Sequence, residues 1–336
     1  MFELEPNDRE RLKSFIDCFV EHPVLTTVLQ DFDRLRAYRQ LGGEPQCMLL
    51  IGDTGSGKTH LINYYKSRFD VRREGDALIQ PLLVSRIPSR LNLEQMMIQM
   101  LSDLGQFGSE YRRGRSRDIG LTESLIKALR RCRTELIIIN EFQEILEFKS
   151  ARDRQVIANR LKMISEESQI PIVLVGMPWA AQIAEEPQWS SRLICRRVIP
   201  YFKLSNGPEE FVRFLKGLAV RMPFYTPPKL EDKNIALPLF SYSRGEVRRL
   251  KALLNEAVTI AMVEGAESLD LAHLVKAYQV MFPGQNNPFK EKPESLLFSE
   301  VSRYSDYNSL AISEEEAFVP TQFIDSLSLS EILKKS

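Results

Sequence analysis

Gly52-Asp53-Thr54-Gly55-Ser56-Gly57-Lys58-Thr59 matches the phosphate-binding pattern G-x-x-x-x-G-K-[ST] at every defined position. The apolar run Cys47-Met48-Leu49-Leu50-Ile51 precedes it and Leu61-Ile62-Asn63-Tyr64-Tyr65 follows, so the motif joins an expected strand to an expected helix. That context separates it from a glycine-rich turn without a ligand. The glycines allow the backbone to curl until several N–H groups point inward, and the helix beyond adds its positive dipole end. Lys58 is expected to reach the β and γ phosphates of a nucleoside triphosphate, and the Thr59 hydroxyl to take a Mg²⁺ coordination position. Gly52 through Thr59, with His60 next on the helix, are the expected nucleotide-binding residues.

A second stretch, Leu136-Ile137-Ile138-Ile139-Asn140-Glu141, reads as a strand that ends in polar residues. The usual companion of a phosphate loop is a strand closing on two acids, one for Mg²⁺ and one to polarise the attacking water. Glu141 supplies the second. Asn140 stands at the first position as a neutral amide, which can hydrogen-bond a metal-bound water but adds no charge to the ion's field. The expectation is nucleotide binding largely kept, with weakened Mg²⁺ binding and slow hydrolysis.

The rest of the chain sets bounds. Its 336 residues suffice for two domains, and 43% hydrophobic with 27% charged residues is the balance of an ordinary soluble protein. Basic and acidic residues number 45 each, so net charge decides nothing about nucleic acid; from Gly284 onward, however, 5 basic face 9 acidic residues. Cys18, Cys47, Cys132 and Cys195 form no C-x-x-C pair, and with His22, His60 and His273 the only histidines, a zinc site is not expected. Reduced thiols, no apolar run of membrane-spanning length and an acidic, polar N-terminus point to a soluble cytoplasmic protein with no membrane partner.

Periodicity predicts two helices between residues 7 and 41, broken near Pro23. Strands are expected over 80–87, 136–139, 171–175 and 197–202, and helices over 93–104 (capped by Asn92), 122–132 and 152–168. Short apolar strands alternating with amphipathic helices imply a parallel sheet covered on both faces. After Leu204 only helices are expected, over 209–221, 235–240, 246–263 and 269–282. Beyond Pro283, Asn-Asn-Pro, Lys-Pro and Ser/Glu-rich segments suggest a linker and a loosely held tail. The boundaries are thus 1–44 for an N-terminal helical segment, 45–204 for an α/β nucleotide-binding domain, 205–283 for a helical lid and 284–336 for linker and tail. In the tail, Glu314-Glu315-Glu316 is followed by the apolar Phe318, Phe323, Ile324, Leu327, Leu329, Ile332 and Leu333. This suits docking to a partner or packing back on the body.

The order of these motifs carries a resemblance. The phosphate loop, the strand ending before Glu141, the strand ending Gly176-Met177-Pro178, the pair Ser191-Arg192 and the helical segment opening Gly245-Glu246-Val247-Arg248 look like an AAA+ ATPase of the initiator-like type. More closely, the chain resembles the TniB/TnsC family, ATP-dependent target selectors of DNA transposons, some of them CRISPR-associated, over roughly residues 10 to 282. Leu174-Val175-Gly176-Met177-Pro178 and its spacing to Ser191-Arg192-Leu193 narrow the match. The resemblance implies an α/β AAA+ P-loop domain with a small all-helical lid, binding ATP and Mg²⁺. It implies assembly into a ring or helical filament on double-stranded DNA, linking a target-recognition protein to a transposase.

It also assigns residues. Arg192 stands where relatives carry the arginine finger that reaches a neighbouring subunit's γ-phosphate, with Arg196 and Arg197 as alternatives. Arg248 stands at the sensor-2 position, touching the γ-phosphate from the lid. Met177 lies in the sensor-1 neighbourhood without an assigned role. DNA contact falls to loop arginines, namely Arg86, Arg90, Arg112, Arg113, Arg115 and Arg117, whose charges suit a partner read through its phosphates. Rival readings are a helicase loader or replication initiator, and a nucleotide-bound scaffold that does not hydrolyse.

Overall fold

The computed structural model describes residues 5–75, 77–87, 92–105, 118–185, 187–205 and 207–335. Helices α1 (Pro6–Ile16) and α2 (Pro23–Gln40) each begin on a proline, whose fixed φ suits a first helical turn and whose missing N–H costs nothing there. The core strand β1 (Cys47–Gly52) runs into the phosphate loop and then α3 (Lys58–Lys66). A small hairpin, β2 (Arg72–Glu74) with β3 (Ala77–Ile79), leads to β4 (Leu82–Arg86). Next come α4 (Leu93–Asp103), α5 (Asp118–Arg131) and β5 (Leu136–Asn140). Asn92 caps α4 reciprocally with Gln95. Then follow α6 (Ala151–Ser168), β6 (Ile172–Gly176), the short α7 (Pro187–Ser190) and β7 (Leu193–Ile199).

The sheet has the order β4-β5-β6-β1-β7, all pairs parallel. Alternate residues feed two cores. Leu49, Ile137, Ile139, Ile172 and Leu174 face α4, α5 and α6. Met48, Leu50, Ile138, Val173 and Val175 face α2 and α3, where Phe32 and Tyr65 are fully buried. The last strand occupies 193–199, not the expected 197–202. As an edge strand it alternates buried Leu193 and Cys195 with exposed Ile194 and Arg196, so its start lacks the continuous apolar run of an interior strand. Pro200 has no N–H and ends it.

Beyond the sheet, α8 (Pro208–Ala219), α9 (Lys233–Ser243), α10 (Val247–Val263) and α11 (Leu271–Met281) build a second core. Phe15 and Val20 from the N-terminal segment join this core, so the first 44 residues divide between lid and sheet.

The tail is folded. It contains β8 (Val301–Arg303), β9 (Asp306–Tyr307), α12 (Glu314–Ala317), β10 (Phe318–Val319), β11 (Gln322–Phe323) and α13 (Leu329–Ile332). β8 pairs with β11 and β9 with β10, both antiparallel. Phe298 and Ile332 are fully buried in the lid core, and Glu300 accepts the N–H groups of Leu204 and Ser205. Of the two expectations for its apolar residues, packing back on the body is the arrangement present. Phe298→Ala should therefore lower global stability by about 3 kcal/mol, the usual cost of emptying a buried phenyl site, measured as a shifted urea midpoint.

Candidate functional site

Because β1 is an interior strand between β6 and β7, its carboxyl end opens at the edge of the sheet beside the end of β6, with the end of β5 one strand further. The phosphate loop turns there. Gly55 and Gly57 take φ of 73° and 102°, conformations that disfavour any side chain. Lys58 is 6% exposed, and its ammonium donates to the carbonyls of Gly52 at 2.6 Å and Asp53 at 2.9 Å. Burial lowers its pKa to about 8, partly offset by the charges of Glu141 and Asp53.

A cavity of about 480 Å³ lies over the loop. Its floor is Thr54 to His60, and Glu141 and Met177 form one wall. Phe19, Val20, His22, Phe214, Leu218 and Val247 make an apolar end between the N-terminal segment and the lid. Burial lowers the pKa of His22 to about 4, so this imidazole is neutral and adds no charge there. His60 touches the Cys18 carbonyl through Nε2 at 2.8 Å, fastening the segment to α3.

The lid reaches the loop through one turn. Arg248 donates its N–H to the Gly55 carbonyl at 3.1 Å and its guanidinium to the Thr54 hydroxyl at 3.1 Å. The turn depends on Gly245, with φ 79°, where any Cβ would run into the Phe202 carbonyl. Phe202 N–H in turn donates to the Gly245 carbonyl at 3.0 Å.

Glu141 adopts a left-handed backbone, φ 58°, just past β5. Its carboxylate accepts from Gln143 Nε2 at 2.9 Å, while Gln143 Oε1 accepts the Met177 N–H at 3.0 Å. Gln143 is thus a bracket between the ends of β5 and β6. Asn140 is buried with its Oδ1 unpartnered, so an acceptor is present beside Glu141 without a carboxylate's charge. Among the described residues no three or more His, Cys, Asp or Glu cluster as a metal cage. Thr59 lines the cavity, whereas Asn140 does not.

The structure brings Thr54, Lys58, Thr59, His60, Glu141 and Arg248 to one cavity. It does not bring Arg192 there. Arg192 ion-pairs with Glu166 on α6. Arg197 donates to Asp31 at 2.7 Å, and Arg196 is exposed on β7. Arg86 is exposed at the end of β4, beside Asn140 in register. Arg90, Arg112, Arg113, Arg115 and Arg117 lie outside the described residues. Sequence reasoning missed Gln143, the 16–22 segment and Lys251, whose ammonium donates to the Phe15 carbonyl at 2.5 Å. Gln143 lies among Phe142, Glu144 and Ile145, and nothing in that stretch of sequence singles it out.

A family model described as bacterial TniB protein matches residues 13–203. The chain belongs to the TniB family. No protein of curated function matches this TniB-family chain. Among solved structures it is similar to the Aeropyrum pernix ORC2 protein in ADPNP–ADP complexes. The two are 18% identical with a TM-score of 0.58, covering 79% of this chain and 70% of that one. It is similar also to Aeropyrum pernix ORC1 in complex with DNA, at 20% identity and TM-score 0.56, covering 80% and 69%. Cdc6p from Pyrobaculum aerophilum matches at 18% and 0.56, covering 82% and 72%. These likenesses establish the fold of this TniB protein as that of the AAA+ proteins, as its motif order implies. No helix among the described residues is long and apolar enough to cross a membrane.

A bound triphosphate would favour the charged form of Lys58, so binding takes up a proton once pH exceeds the free group's value. ATP affinity should hold steady well below pH 8 and fall as pH rises past about 8, by up to about tenfold per pH unit. Lys58→Ala should remove both the affinity and this dependence; calorimetric titration across a pH series measures both.

Proposed function

We propose that this protein is an ATP-dependent, DNA-binding regulator of transposition that oligomerises on duplex DNA and links target-site recognition to a transposase. The observation that carries the reading is the convergence of Lys58, Thr59, Glu141 and Arg248 on one cavity in a TniB-family chain. The apolar end between Phe19 and Val247 suits a nucleobase, and the loop amides suit its phosphates. The ORC2 protein of Aeropyrum pernix, similar in fold, forms ADPNP–ADP complexes, and ORC1 a complex with DNA. Both complexes support the same ligand classes here.

Lys58 leaves its loop carbonyls for the phosphates, and Arg248 meets the same charge from the lid. Thr59 and Asn140 would hold Mg²⁺, which supplies neutralisation of the phosphate charge. Glu141, aimed by Gln143, accepts hydrogen bonds from the attacking water. Arg192, released from Glu166, reaches the γ-phosphate of the next protomer, so ATP joins subunits and acts as an assembly switch. Arg86 and the loop arginines follow DNA phosphates. Glu315 and Glu316 remain exposed on the tail for a protein partner.

Asn140 favours a second reading, a nucleotide-bound scaffold that hydrolyses little. Phosphate release from Asn140→Asp separates the two. A rate rising about tenfold or more over the parent supports a switch cleared by hydrolysis, and an unchanged rate supports the scaffold. For assembly, electron microscopy with duplex DNA, Mg²⁺ and a non-hydrolysable ATP analogue should show rings or filaments. Binding should weaken steeply with salt and be indifferent to base sequence. A chain that stays monomeric and ignores duplex under these conditions overturns the proposal.

A further inference from the structure

Asp53 occupies the first variable position of the phosphate loop, where the motif imposes no residue type. Its carboxylate lies wholly inside the protein. One partner is local, the Thr54 N–H at 2.7 Å. The others come from the tail, 252 and 268 positions along the chain: Ser305 donates its N–H to Oδ2 at 2.9 Å and its hydroxyl to Oδ1 at 2.8 Å. The Thr321 hydroxyl donates to Oδ2 as well. These donors fill the roughly four lone-pair sites a carboxylate offers. Asp53 is absent from the cavity wall that begins at Thr54, so its charge points to the far side of the loop.

The tail holds this place from several sides. Tyr304 OH accepts the Tyr201 N–H at 3.0 Å, and Tyr201 OH donates to the Thr54 carbonyl at 2.6 Å. Tyr307 OH accepts the Phe148 N–H at 2.8 Å, and Phe318 meets Trp179 edge-on. The two loop residues gripped in this way are the ones Lys58 and Arg248 use: Lys58 donates to the Asp53 carbonyl and Arg248 to the Thr54 hydroxyl.

We infer that Ser305 and Thr321 are positioning residues of the nucleotide site. Docked on Asp53, the tail fixes the curl of the phosphate loop and keeps a carboxylate turned away from the phosphates. Without those hydroxyls the carboxylate loses donors in a dry setting, and the loop relaxes toward arrangements that present negative charge to an anionic ligand. Linkage makes the coupling reciprocal, so a bound triphosphate holds the tail more firmly. The inference rests on the nucleotide-site reading above.

The test is a double-mutant cycle in the full chain. Ser305→Ala with Thr321→Val should weaken ATP binding about tenfold. In an Asp53→Ala background the same pair should change it by less than about twofold, because the tail's donors then have no carboxylate to hold. Hydrogen exchange across 300–323 in the unaltered chain should slow when ATP is added. Equal losses in both backgrounds would show that the tail matters only as packing and overturn the inference. An unchanged affinity in the folded pair variant, or exchange indifferent to ATP, overturns it too. Should the pair variant fail to fold, the single variants complete the same cycle and the exchange experiment stands alone. No ATP binding by the unaltered chain overturns the nucleotide reading itself, an outcome distinct from binding that ignores the tail.

Discussion

A buried ammonium governs this molecule. Lys58 sits at the first turn of α3 with its charge satisfied by the peptide oxygens of its own loop. Backbone dipoles are modest compensation for a desolvated cation, which is why its proton is held so loosely. The loop must curl tightly to offer those oxygens, and the curl requires glycine at 55 and 57, an interior strand beneath and a clamp above. The parallel sheet, the Gly245 turn and the Arg248 contact can all be understood as the scaffold that keeps this cation and its loop in register.

Much of this was legible in the sequence, for physical reasons particular to each element. β1, β5 and β6 are interior strands, so both faces must be apolar and the run announces itself. Asn92 could be read as a cap because the bond it makes is local, and the structure adds the reciprocal bond from Gln95. Arg248 is placed by the resemblance to AAA+ proteins alone; the structure adds that a Cβ at the neighbouring Gly245 would meet the Phe202 carbonyl. What stayed hidden depends on distant partners. Nothing near Arg192 announces Glu166, nor anything near Asp53 the hydroxyls of Ser305 and Thr321.

The tail is the instructive case. Its strands are two or three residues long, too short for periodicity, and its Ser, Asn, Glu and Pro content imitates a linker. Composition reports whether a segment can build a core of its own. It is silent on whether the segment can borrow one. Phe298 and Ile332 borrow the core of the lid, while β9 and β10 set Tyr307 and Phe318 against Phe148 and Trp179, past the ends of β5 and β6.

The division of the N-terminal segment has a mechanical corollary. The chain passes between the sheet body and the helical bundle at 17–22, 200–205, 298–305 and again at 321–324, where Thr321 bonds Asp53 and Ile324 packs on the lid core. A bundle joined at one point can swing in any direction. Tethered at separate points, it keeps only the rocking that stretches none of them, so whatever enters or leaves beneath it must do so through a narrow set of motions.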